Sequence, residues 1–112
     1  AKSRLKAAIE SHINVICKNI DSVAVFLNEW RHMSEPHYSD FLKLRKEYEE
    51  KFKNYIEFGV NKYEFDVKDI DFAVLTILSS LNWTNNWYKP NGKMKPQQIA
   101  DNLSEILIKG IS

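Results

Sequence analysis

Apolar residues return at three- and four-residue intervals through almost the whole chain, the period of helices that each bury one stripe. Leu5, Ala8, Ile9, His12, Ile13 and Ile16 trace the first stripe, over residues 3–18. Asn19, Ile20 and Asp21 interrupt it. Asp21 or Ser22 can then cap a short second helix, about Ser22 to His32, with Val23, Phe26, Leu27 and Trp30 turned inward. Pro36 opens the longest helix, about His37 to Lys62, whose buried side reads Phe41, Leu44, Tyr48, Phe52, Tyr55, Ile56 and Gly59. Its other side is a solvated run of mixed charge, with Glu47–Lys51 and Glu49–Lys53 at ion-pair spacing. Asp69 is the expected cap of a fourth helix, about Ile70 to Tyr88. Pro90 and Gly92 turn the chain into a fifth, from Pro96 to about Lys109, with Gly110 as its stop. Lys95 is a poor cap for that last helix. No stretch of period-two alternation competes, so the expected fold class is all-α.

The fourth helix departs from a single stripe. Ile70, Phe72, Ala73, Val74, Leu75, Ile77, Leu78 and Leu81 surround its first half. A helix apolar on most sides must be buried on most sides. A chain of 112 residues covers one side, and a partner is expected to cover the other. Trp83 and Trp87 lie four residues apart and share a face near its end. Core, dimer seam and cavity floor are all open readings for these two rings. Asn82, Asn85 and Asn86 stand beside them, either bonding across a seam or facing water.

Composition narrows the class without deciding it. The length fits a single domain over residues 1–112. Sixteen basic against fifteen acidic residues leave a net charge of +1, not the basic footprint of a nucleic-acid-binding surface. The longest apolar run, Phe72–Leu81, is far short of the roughly 20 residues of a membrane span and is broken by Thr76, Ser79 and Ser80. A lone Cys17 excludes an internal disulfide, and with no signal peptide in view a cytoplasmic location is expected. The helical pattern is already under way at Ala1, as it would be if a preceding segment had been removed.

Candidate chemistry is sparse. No glycine-rich phosphate loop, paired carboxylates or Ser/His/Asp ordering points to an enzyme, and His12, His32 and His37 have no thiol or carboxylate spaced with them as metal ligands. No cofactor is implied. The inward aromatics Phe26, Trp30, Tyr48, Phe52 and Tyr55 form either plain core or the wall of an apolar cavity, with Tyr48 and Tyr55 offering hydroxyls. His12, on the first stripe, and Leu78, on the fourth helix, complete the candidate ligand-binding set. Lys89 and Lys93, near the last turn, are either solvated or at a cavity mouth.

Several segments in order carry a resemblance: FLNEW at 26–30, LRKEYEEKF at 44–52, GVNKYEFD at 59–66, LNWTNNWYKPNGKMKPQQIADNL at 81–103 and ILIKG at 106–110. Together they resemble the C-terminal, ligand-binding half of TetR/AcrR-family transcriptional regulators. The resemblance implies a five-helix domain whose last two helices form a four-helix bundle with a dimer mate. It places Trp83, Trp87, Ile99, Leu103, Ile106 and Leu107 at the dimer interface. It further implies a repressor released from DNA by a small apolar or acyl-CoA-like effector. DNA would be gripped by an N-terminal helix-turn-helix, and no segment of this chain resembles one. A helical module that binds a protein partner without any small molecule is the main rival, and a small helical enzyme is the second.

Overall fold

The computed structural model describes residues 1–29 and 37–112, with the side chains of residues 25–29, 37, 38 and 41 outside the description. Trp30 and His32 therefore lie outside the described residues, as does the side chain of Phe26. The described residues form five α-helices and no strand: α1 (Lys2–Lys18), α2 (Ile20–Glu29), α3 (His37–Asn61), α4 (Ile70–Trp87) and α5 (Pro96–Ile111). α4 is central and touches all four others, while α1 packs on α5, α4 and α3.

Periodicity sets the core. Leu5, Ile9, Ile13 and Ile16 of α1 are buried, as the first stripe requires. Phe52 and Ile56 of α3, Val74, Ile77 and Leu81 of α4, and Ile99 and Ala100 of α5 join them. The break after α1 is a single residue. The Asn19 amide closes α1 by bonding the Val15 carbonyl at 3.0 Å, and its own carbonyl accepts the Val23 N–H at 2.9 Å. One asparagine thus ends one helix and starts the next, and α2 begins at Ile20, two residues earlier than expected.

Asp69 caps α4 as expected, accepting the Phe72 N–H at 3.0 Å. α5 has a lysine at its cap position, which can offer no acceptor. Gln98 compensates from inside the helix by accepting the Lys95 backbone N–H at 2.8 Å. Gly110 does not stop α5, which runs on to Ile111 with no glycine at positive φ. Gly92 likewise serves by size: its N–H bonds the Lys89 carbonyl at 2.8 Å, and a Cβ there would stand 3.0 Å from that oxygen.

Two expectations for α3 are corrected. Leu44 is 62% exposed, because only the part of the helix around Phe52–Gly59 faces both α1 and α4. Neither expected ion pair along the helix forms within 4 Å. Glu49 is held by Arg45 at 3.1 Å, and Lys53 reaches across to Asp71 of α4 at 3.1 Å.

The end of α3 is fixed by a reversal. The Glu64 N–H reaches back to the Gly59 carbonyl at 2.8 Å and the Tyr63 N–H to that of Val60 at 3.1 Å, with Tyr63 left-handed at φ 60°. The reversal lays the buried Phe65 ring on Gly59. A methyl at Gly59 would overlap that ring, so Gly59→Ala is expected to destabilise the domain by about 1–3 kcal/mol in urea unfolding. Tyr63 is exposed and strained, so Tyr63→Gly is expected to stabilise by about 1 kcal/mol in the same assay.

Candidate functional site

A solvent-open cleft of about 470 Å3 lies between α1 and α3. The two helices line it at matching helical spacing, with Arg4, Ala7, Ala8 and Ser11 on one side and Tyr48, Lys51, Phe52 and Tyr55 on the other. The two alanines leave room that larger side chains would fill. Tyr48 and Phe52 stack at 5.3 Å, and Tyr55 meets Phe52 edge-on at 6.3 Å, so the α3 side is a continuous aromatic wall. Its size falls within the range of about 300–1,000 Å3 usual for small-molecule sites.

Behind the wall, His12 joins three helices. Its Nδ1 is 2.6 Å from the Tyr48 hydroxyl and its Nε2 is 2.7 Å from Asn82 Oδ1 on α4. Burial pushes the imidazole below its ordinary pKa, with the Asn82 bond pulling weakly the other way. Burial, then the neighbouring Tyr55, raises the Tyr48 phenol. A neutral imidazole needs one donor and one acceptor nitrogen. The partners assign them: Nε2–H donates to Asn82, and the Tyr48 O–H donates to Nδ1. The Tyr48 proton is thereby committed inward, leaving its oxygen lone pairs for the cleft. Nearby, the Asn85 amide donates to the Ile20 carbonyl at 2.8 Å and ties α4 to the start of α2.

The structure thus brings together His12, Tyr48, Phe52 and Tyr55 of the expected ligand-binding set. Leu78 packs against the core and does not line the cleft, because its part of α4 is covered within the subunit. Lys89 and Lys93 are exposed and do not line it either. Phe26 and Trp30 lie outside what is described. Sequence reasoning missed Arg4, Ser11, Lys51 and Asn82. The first three share helical faces with recognised residues, a signal that was present. Asn82 meets His12 across 70 positions of sequence, and nothing local announces that pairing. Among the described residues no three His, Cys, Asp or Glu side chains gather as metal ligands, and Cys17 is a free, half-buried thiol.

The expected interface residues divide. Trp83, Trp87 and Ile106 are 64%, 42% and 68% exposed. Leu103 and Leu107 are partly buried against the core. Ile99 is a correction: the first turn of α5 folds onto the rest of the subunit, burying that side chain in its own core and leaving none of it for a partner.

A depressed histidine pKa fixes the sign of a pH effect. Below about pH 6.5 the unfolded chain takes up a proton at His12 that the folded chain refuses, so stability is present above that value and lost as pH falls through it. His12→Gln removes this contribution. The variant is expected to be less stable at pH 7.5, by about 1 kcal/mol for a weakened hydrogen-bond pair, and to lose less stability than the parent between pH 7.5 and 5 in urea titrations.

The comparisons with known proteins fit this geometry. The sequence model described as the tetracyclin repressor-like C-terminal domain matches residues 1–111. A bacterial regulatory protein of the TetR family from Rhodococcus superposes with a TM-score of 0.91 at 23% identity, covering 99% of this chain and 58% of its own. A TetR/AcrR-family transcriptional regulator from Thermobifida fusca gives 0.86 at 26% identity, with 97% and 57% covered. The ketosteroid transcriptional regulator of Mycobacterium tuberculosis gives 0.91 at 21%, with 97% and 57% covered. The chain therefore spans a little under three fifths of the length of these three structures. A search of curated proteins found no match. On the match along residues 1–111, the chain belongs to the tetracyclin repressor-like C-terminal domain family, the regulatory half of TetR-type proteins.

Proposed function

We propose that this chain is the effector-binding and homodimerisation domain of a TetR-family transcriptional regulator, a repressor released from DNA when a small apolar or acyl-CoA-like molecule enters the α1/α3 cleft. DNA would be held by a segment outside these residues. The observation that carries this reading is the His12 bridge. It connects the cleft wall, through Tyr48, to α4, through Asn82. Asn82 directly precedes Trp83, which stands on the bare face of α4.

That face supports the dimer half of the proposal. Phe72 is 67% exposed, and Leu75, Trp83 and Trp87 continue the exposure along the helix. Spacings of three, eight and four residues keep them on one side. An apolar stripe of this kind on a soluble domain is a surface that a partner covers. Ile106 adds an exposed apolar residue on α5. A ligand that displaced the Tyr48 hydroxyl from His12 would change what holds Asn82, and so the set of α4 against α1. Regulation requires the ligand to prefer one of the two settings, since equal affinity for both shifts nothing. The ketosteroid regulator's name supports a compact, mostly apolar effector for this cleft.

The seam is tested by truncating rings that a single subunit leaves bare. Trp83→Ala is expected to weaken self-association by about 2 kcal/mol or more, roughly thirtyfold in dimer dissociation constant, with helicity unchanged. Ile106→Glu is expected to give folded monomers by light scattering, whereas Leu103→Glu, placed against the core, is expected to unfold the subunit. Undiminished dimer in both Trp83→Ala and Ile106→Glu would remove the seam. Stabilisation by a protein partner, with no small molecule stabilising the domain, would favour the interaction-module rival.

A further inference from the structure

We propose that the cleft takes an amphipathic free carboxylic acid, its carboxylate held between Arg4 and Lys51 and its apolar body laid along Tyr48, Phe52 and Tyr55. This rests on the effector-domain reading and narrows its ligand class.

The charge distribution supports it. Two cations line the cleft, one from each helix, and no carboxylate lines it. Among the described residues four basic side chains are in ion pairs, Lys6 with Asp101 at 3.7 Å, Arg45 with Glu49 at 3.1 Å, Lys53 with Asp71 at 3.1 Å and Lys109 with Glu105 at 3.2 Å, and Arg4 and Lys51 are among the larger number left open to a ligand. Among the described residues, neither Arg4 nor Lys51 has a carboxylate within 4 Å. The sequence offers Glu47 to Lys51 at ion-pair spacing, yet that pair does not form. Lys51 stands at the edge between the cleft and a shallower hollow on the outer side of α3, and Glu47 and Glu50 line only the hollow. Arg4 is instead steadied by the Phe58 ring, with its guanidinium carbon 5.3 Å from the centroid. A guanidinium over an aromatic ring retains N–H donors, and a fork of such donors matches a carboxylate.

The remaining lining fixes the rest of the ligand. The aromatic wall and two alanines favour an apolar, preferably flat body, and the Ser11 and Tyr48 oxygens add polar contact at the sides. Two cations match a single acid group. A coenzyme A thioester, much larger and multiply charged, overfills a cleft of about 470 Å3.

The test uses the full chain and three matched probes: phenylbutanoate, its primary amide and its coenzyme A thioester. Backbone amide NMR shifts give both the site and the dissociation constant. Phenylbutanoate is expected to shift Ala7, Ser11, Lys51 and Phe52, and to bind about tenfold tighter than the amide at low salt, the scale of a charge-assisted hydrogen bond. Arg4→Gln and Lys51→Gln are each expected to erase most of that preference, weakening acid binding far more than amide binding. Equal binding of acid and amide in the cleft, or tighter binding of the thioester, overturns the acid inference and leaves the effector-domain reading standing. If none of the three moves the cleft residues at millimolar concentration, both readings fall.

Discussion

Everything in this fold depends on how α4 divides its apolar surface. One face, through Val74, Ile77, Leu81 and Thr84, is buried against the other helices of the subunit. The opposite face, from Phe72 to Trp87, has large apolar side chains that the described residues leave exposed. The other four helices already pack on the central one. The burial that holds the subunit together and the surface that would hold two subunits together are therefore two sides of one helix.

That arrangement gives the cleft its reach. α1 and α3 are both packed on α4, so in the proposed function a group bound between them would act on the helix that bears the exposed stripe. The polar tie through His12 would be the specific link in that proposal. Its three members come from α1, α3 and α4, and each bond is short enough to matter at 2.6 and 2.7 Å. A half-buried neutral imidazole with both nitrogens satisfied is rigid in a way that apolar contacts alone are not, because losing either partner leaves a polar atom stranded.

Much of this was legible in the residues. The 3.6-residue period located each of the described helices, and the Asp69 cap and the Pro96 start followed from local chemistry. The misses share a physical cause: local rules describe what a residue favours, and tertiary context decides between favoured options. Gly110 resembles a helix stop, but α5 simply continues through it. Lys51 has an acid at the right spacing, but the pair does not form and Lys51 lines the cleft edge as well as the outer side of α3. Ile99 and Ile106 belong to the same apolar pattern, yet one is sealed in the core and the other is bare. Of the candidate site, the aromatic wall and His12 could be read from spacing. The cations opposite it and the Asn82 partner needed the helices to be brought together.

The account stands or falls on whether a second copy covers the outer face of α4. Sedimentation equilibrium of the unmodified chain, diluted from micromolar to nanomolar, measures this directly. The account predicts a folded species of twice 13.2 kDa across that range. A helical, cooperatively folded species of 13.2 kDa at micromolar concentration would contradict it.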